Sequence, residues 1–274
     1  MFPTLNTAVS ALEQFQQDMS VIGNNMANVN TTGYKDATMN FEDTLSQAIG
    51  LGGGNLQVGS GVTTSAIASN FGQGTISSTG VVSDLAVNGN GFFTVKDPTS
   101  GAQYVTRDGS FQVDANGYLI AAGGQRVQGY SNSGLTTMGD IKIDATGAPA
   151  SAAPGATVQS FNIDQNGDVN VILSDGTTFV RGQVLLQNFN DPNALVKEGG
   201  DLYAITPAAG AVGTAAAPQT AGLGSIVAGS LETSNVDLTS EMTNLITAER
   251  AFESNAKVVT TSDEILQDTV NLIR

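Results

Sequence analysis

The chain has 274 residues, 40% of them hydrophobic, enough to bury a sizeable core in one or two domains. It contains neither Cys nor His, so thiolate and imidazole metal sites, cysteine nucleophiles and His-based triads are excluded by inventory. The formal net charge of −15, from 25 acidic against 10 basic residues, repels phosphate backbones and anionic lipid, so neither nucleic acid nor membrane insertion is expected.

Near the N-terminus, Leu5, Ala8, Leu12, Phe15, Met19, Ile22, Met26 and Val29 recur at steps of three and four. That period places them on one face of a helix from about Thr4 to Asn28, a rod of roughly 40 Å. Ser10 and Glu13 have the spacing of a capping pair near its start. Asn24, Asn25, Asn28 and Asn30 then lead into Thr31, Thr32 and Gly33, residues that compete with helical hydrogen bonding and tolerate left-handed geometry, so the helix should stop there. No basic n-region with a continuous apolar run precedes Lys35, so a cleavable signal peptide is not expected. No stretch approaches the roughly 18 apolar residues of a membrane span.

Residues 34–75 read as an extended connector. It holds the short amphipathic set Phe41, Leu45 and Ile49, then Gly50, Gly52, Gly53 and Gly54, then Val58, Val62 and Ile67 at strand-like intervals. Gly52, Gly53 and Gly54 are its hinge candidates.

Residues 76–234 carry short β-prone runs broken by turns and are expected to form one all-β body with a small sub-domain near 131–195. The runs are Leu85–Val87, Gly91–Val95, Tyr104–Thr106, Phe111–Val113, Tyr118–Ile120, Arg126–Gln128, Val169–Leu173, Thr177–Arg181 and Gln183–Phe189. Three times an Asp stands three residues before a Gly, at Asp114-Gly117, Asp144-Gly147 and Asp164-Gly167. A calcium loop needs more oxygens at fixed positions, including a late Glu, so these are read as hairpin turns. Asp175-Gly176 is a further hairpin turn, and Asn88-Gly89-Asn90-Gly91 lacks the third Gly and the helix of a dinucleotide fingerprint. Ala208–Pro218, rich in Ala, Gly and Pro, reads as a surface loop.

A second helix is expected from Asp237, its N-cap, for about 35 residues or roughly 50 Å. Its seam is Leu238, Met242, Leu245, Phe252, Ala256, Val259, Leu266, Val270 and Ile273, interrupted by Glu249 and Asp263. Those carboxylates could meet Arg250, Lys257 or Arg274 of a neighbouring copy. The expected fold class is α+β, with residues 1–33 and 235–274 paired as a coiled-coil-like helical domain around an all-β middle. Such stripes exceed what one helix or a two-helix hairpin covers. Each wet seam side chain forgoes about 1.5–3 kcal/mol of burial, against about 1–2 kcal/mol of backbone entropy per ordered residue. Folding of the ends is therefore expected to be coupled to self-assembly.

The segment Ile22-Gly23-Asn24-Asn25-Met26-Ala27-Asn28-Val29-Asn30-Thr31-Thr32-Gly33-Tyr34-Lys35 resembles the N-terminal signature of the bacterial flagellar rod and hook proteins. Ser234-Asn235-Val236-Asp237-Leu238, Ala248-Glu249-Arg250-Ala251-Phe252-Glu253 and Thr261-Ser262-Asp263-Glu264 are similar to the C-terminal one. Leu85 to Phe93, Tyr104 to Phe111 and Asp114 to Leu119 resemble the β-domain motifs of the same family. The resemblance implies a helical tube of identical subunits with the terminal helices lining an axial channel, the segment after Gly33 bridging layers, and the β body outside. It also implies export through the flagellar type III apparatus without cleavage. The partners it implies are further copies, rod and hook–filament junction proteins, and a hook cap during assembly; no cofactor is implied.

Within the family, Arg126-Val127-Gln128-Gly129-Tyr130 and the ending Val270-Asn271-Leu272-Ile273-Arg274 are more like hook protein than distal-rod protein. The segment after Tyr130 is too short for a large outer domain. A short hook protein, acting as a flexible universal joint between rod and filament, is the first expectation, and a distal-rod or drive-shaft protein of the basal body the second. An enzyme would have to work through a carboxylate pair, and no spacing selects one. A pilus-like binding module, anchored by its helices, is the remaining alternative.

Overall fold

The computed structural model describes residues 2–45, 47–48 and 57–272. The hinge candidates Gly52, Gly53 and Gly54, together with Ile273, lie outside the described residues. The chain divides into two compact units, one drawn from residues 1–29, 35–70 and 236–274 and the other from 30–34 and 71–235.

The first unit contains helices α1 (Phe2–Ala27) and α2 (Leu238–Leu272). Four strands accompany them: β1 (Ala37–Asp43), β2 (Gln47–Ala48), β3 (Gln57–Val58) and β4 (Val62–Ser69). The apolar seam carries α1 back past Ser10, which is therefore mid-helix and no cap. Its hydroxyl donates to the Thr7 carbonyl at 2.9 Å and accepts from the Val62 amide at 3.4 Å. At the other end, the Asn28 side-chain amide donates to the Asn24 carbonyl at 2.9 Å, closing the last turn. The cap of α2 falls where expected, with Asp237 accepting from the Thr239 amide at 2.8 Å.

Where an extended connector was expected, the chain folds into an antiparallel ribbon. β1 pairs with β4, Met39 opposite Ile67, through a bulge at Asn40 and Phe41, and β2 pairs with β3. The ribbon lies on α1: Phe15 and Phe41 stack with ring centroids 5.8 Å apart, and the Thr64 hydroxyl donates to both Gln14 and Gln17. Sequence periodicity shows the strands but not the partner that gives their inner face something to cover.

The second unit is the β body. Its first strands are β5 (Ile76–Ser78), β6 (Leu85–Asn88), β7 (Phe92–Lys96), β8 (Gln103–Thr106), β9 (Gln112–Val113), β10 (Leu119–Ile120), β11 (Arg126–Tyr130) and β12 (Met138–Asp140). They are followed by β13 (Val158–Ile163), β14 (Asp168–Leu173), β15 (Thr178–Val184), β16 (Leu186–Gln187), β17 (Val196–Gly199), β18 (Leu202–Ala204), β19 (Ser225–Ala228) and β20 (Ser230–Glu232). The main sheet runs β13-β14-β15-β11-β7-β8-β18-β17, with β9, β10, β12 and β16 attached. Two small pairs, β19 with β6 and β20 with β5, complete the body. Residues 131–195 belong to this same sheet, and Ile163, Val169 and Val184 share one core with Phe93, Phe111 and Val127.

The turns follow Asx chemistry. Asp114 accepts from the amides of Asn116 and Tyr118, both at 2.8 Å, and Gly117 takes φ 86°. Asp164 accepts from Asn166 and Asp168 in the same way, with Gly167 at φ 81°. The runs Thr177–Arg181 and Gln183–Phe189, read as separate on either side of Gly182, are joined there by a bulge inside β15, since Val169 faces Gly182 while Asn170 faces Val180. The skipped residue, Arg181, turns its guanidinium onto Asp144 at 2.6 Å and onto the Ser131 carbonyl. The stretch 208–218 is not simply a surface loop. Ala211 and Ala216 form β-bridges to Phe189 and Leu186, and Ala209, Ala215 and Pro218 are buried, because small side chains let this backbone approach the sheet.

One buried charge pair sits at the centre of the body's connections. Arg107 meets Glu232 at 3.4 Å, donates to the Gly89 carbonyl at 3.0 Å and lies over the Phe92 ring at 5.1 Å. Glu232 accepts from the Gly74 amide at 2.8 Å, and its backbone carbonyl takes the Gly33 amide at 2.8 Å. Gly33 has φ 69°, and a Cβ there would stand 2.5 Å from the Asp108 nitrogen.

Candidate assembly surface

The two helices run antiparallel. Asn25, near the end of α1, donates to Glu241 at the start of α2 at 3.0 Å, and Phe15 shares a cavity lining with Ala251. With α1 at 26 residues and α2 at 35, the second helix projects beyond the first by about 13 Å.

This geometry divides the predicted seam. On the N-terminal side Ile22 is buried, while Leu5, Leu12, Phe15, Met19, Met26 and Val29 are half-buried. On α2, Leu245, Phe252, Val259 and Leu266 are half-buried. Leu238, Met242 and Val270 stay open to solvent, Met242 at 47% and Val270 at 62%. The exposed apolar set also includes residues outside that seam: Ile246, Val258, Ile265 and Leu272. Leu238, Met242 and Ile246 step by four along one flank of α2, and Val258, Ile265 and Leu272 step by seven along another. The signal for these rows was present in the spacing, but a single best-fitting seam hides secondary rows on other faces of the same helix.

The asparagine motif splits by role. Asn25 is 1% exposed and ties three elements together: its amide donates to the Ala37 carbonyl at 2.8 Å and to Glu241, and its oxygen accepts from the Ala37 amide at 3.0 Å. Asn28 closes the helix end and Gly33 supplies left-handed backbone, whereas Asn24 and Asn30 are exposed. Asn25, Asn28 and Gly33 thus shape the chain's path.

Charge is unevenly placed on the helices. Glu241 is buried, and Asp18 lies near it; burial first, and then the Glu241 charge, raise the Asp18 carboxyl above its ordinary value. Glu249 and Asp263 are exposed, and Asp263 accepts from the Gln267 side chain at 2.9 Å. Arg250 and Lys257 are exposed and form no ion pair among the described residues. Among the described residues no His, Cys, Asp and Glu grouping is arranged to hold a metal ion, and no helix is long and apolar enough to cross a membrane.

Three stretches match known protein families. Residues 5–35 match the family described as flagella basal body rod protein, 86–171 the flagellar hook protein FlgE/F/G D1 domain, and 227–272 the flagellar basal body rod FlgEFG protein C-terminal region. The chain is 38% identical over 283 residues to the flagellar basal-body rod protein FlgG of Bacillus subtilis (strain 168), with the whole of both chains covered. It is 36% identical to the protein of that name from Caulobacter vibrioides, covering 98% of each. The flagellar hook protein FlgE of Borreliella burgdorferi is 26% identical over 443 aligned residues, covering 99% of this chain and 100% of that protein.

Proposed function

This chain belongs to the family of flagellar basal-body rod and hook proteins, structural components of the bacterial flagellum, and from that premise we propose that it is a subunit of the distal rod. The observation that carries the reading is end-to-end similarity to rod proteins at 38% over 283 residues, close to the chain's own length of 274. The hook relative aligns over 443 residues, so it carries much sequence with no counterpart here. This replaces the expectation of a hook subunit. The strand that suggested hook, Arg126–Tyr130, is a central strand of the sheet with Val127, Gln128 and Gly129 buried, and it lies in the stretch that matches the domain described for hook and rod proteins alike.

In this reading subunits stack into a tube through the terminal helices. The α2 rows left open in one chain, Leu238-Met242-Ile246 and Val258-Ile265-Leu272, become covered by other copies, the half-exposed side chains among them each gaining about 0.7–1.5 kcal/mol, half of what burial from full exposure is worth. Heterologous contacts of that kind build open helical arrays. The β body faces outward and carries no additional domain. Export through the flagellar type III apparatus without cleavage, and contact with rod and junction proteins, belong to the same reading.

Electron microscopy of basal bodies from a strain lacking this chain tests it. The straight distal part of the rod should be missing, with the hook absent above it. Intact rods that lack only the curved segment would return the chain to the hook.

A further inference from the structure

Between α1, β1 and α2 lies a cavity of about 280 Å³. Phe15, Ile22, Phe41 and Ala248 give it apolar walls, and the carboxyl groups of Asp18 and Glu241 give it charge. Glu241 takes hydrogen bonds from Asn25 at 3.0 Å and Asn244 at 3.4 Å, but Asp18 makes no hydrogen bond or ion pair among the described residues. Among the described residues no cation lines this place. α1 contains no basic residue, and Lys35, fully buried, is no part of the lining. Apolar walls ending in two carboxylates suit one kind of occupant, a long side chain with an aliphatic stem and a cationic head.

The same chain displays such side chains with no ion pair among the described residues. Arg250 and Lys257 stand a heptad apart on the exposed side of α2, with exposed Ile246 one turn before Arg250. Around the helix they lie roughly 130–150° from the mean direction of the cavity-lining Glu241, Asn244, Thr247 and Ala248, although Thr247 alone is only about 60° from Arg250, so donor and receptor lie mainly on different sides of α2. A contact between different patches on two identical copies is heterologous and propagates.

We propose that this cavity receives the Arg250 side chain of a second copy, its stem against Phe15 and Phe41 and its guanidinium between the carboxylates of Asp18 and Glu241. The proposal rests on the self-assembly reading above. Arg250 is preferred to Lys257 because a planar fork of donors matches two carboxylates, and because Ile246 beside it can cover Phe41, which is 41% exposed. The upward shift of Asp18 marks an unneutralised site in the lone subunit, which an incoming cation relieves.

The absence of native cysteine makes an engineered pair unique. Thr38→Cys at the cavity and Ser254→Cys one turn beyond Arg250 leave every proposed contact intact. In basal bodies assembled from this double variant, a short bis-maleimide should yield a ladder of covalent multimers. Separately, Asp18→Arg and Arg250→Asp should each lower incorporation into basal bodies by about tenfold or more, and the two together should restore most of it. Incorporated subunits that give no ladder, or single variants that assemble like the wild type, overturn the proposal while leaving the tube intact. Loss and rescue with Lys257→Asp instead of Arg250→Asp overturns the assignment to Arg250. A wild-type chain absent from basal bodies overturns the self-assembly reading itself.

Discussion

In the β body, Phe93, Val95, Val127, Val169 and Leu186 are fully buried, and the exposed apolar side chains stand in scattered places such as Val113, Met138 and Val196. Along α2, seven apolar side chains from Leu238 to Leu272 face solvent in rows. Charge repeats the contrast. The body's buried Glu232 has Arg107 at 3.4 Å, whereas Asp18 and Glu241 of the helical unit form no ion pair among the described residues. The body buries its apolar side chains in a shared core and pairs Glu232 with Arg107, although Asp168 Oδ1 is buried without a hydrogen bond; the helical unit holds rows and a charged cavity that further copies can satisfy.

The contrast is broken most directly from the body side. Phe93→Ala removes a fully buried ring packed edge-on to Phe111 at 5.1 Å and should cost about 4 kcal/mol of unfolding free energy, read from urea denaturation of the full chain. Glu232→Gln leaves the Arg107 guanidinium buried beside a neutral partner and should cost about 3 kcal/mol in the same measurement. If either changes stability by less than about 0.5 kcal/mol, the body is not the tightly satisfied unit its burial indicates. Gly33→Ala forces a Cβ against the Asp108 backbone at positive φ and should cost about 1–3 kcal/mol.

Acid acts with opposite sign on different carboxylates, and not simply by unit, since burial also raises Asp168 and Asp201 in the body. Burial pushes the Asp140 and Asp144 carboxyls up, but hydrogen bonds from Gln128 and Arg126 to the first, and from Arg181 to the second, outweigh it and hold both below the ordinary value of 3.8. Their stabilising contribution is complete above that value and is lost as pH falls through the depressed folded-state values. Asp18 is shifted the other way, so the folded chain binds its proton more readily than the unfolded chain does. Its ionisation therefore costs stability as pH rises through the window above 3.8, and acid relieves that cost. Asp18→Asn should stabilise the helical unit slightly at neutral pH and remove this opposing slope, measured by helical circular dichroism against pH.

The smallest effect on the lone chain is expected on α2. Val258→Ser with Ile265→Ser should change unfolding of the monomer by no more than about 0.5 kcal/mol while sharply reducing incorporation into rods. Equal loss of monomer stability and assembly would mean these rows are already covered within one chain.

Much of this was legible before any coordinates. The ends of both helices, the Asp237 cap, the Asx turns at Asp114 and Asp164 and most body strands follow from local periodicity and side-chain chemistry. The ribbon on α1 was missed because strands 37–43 and 62–69 show only weak alternation, and their partner is chosen by packing. The runs on either side of Gly182 are joined by a bulge because strand pairing on both sides outweighs one glycine's preference. The secondary apolar rows of α2 escaped because exposure depends on where α1 ends alongside it.

By itself, then, the amino-acid order determined the two amphipathic helices, the Asp237 cap, the glycine-bearing turns and the absence of thiol and imidazole chemistry, because each depends on residues within a few positions of one another. Only the tertiary structure decided that Asn25 meets Glu241 across 216 residues and that Arg107 meets Glu232 across 125, and which seam residues remain open to solvent. Those pairings depend on closing long loops in one register among many. The free energy that selects that register comes from burial summed over the whole fold, which no local window contains.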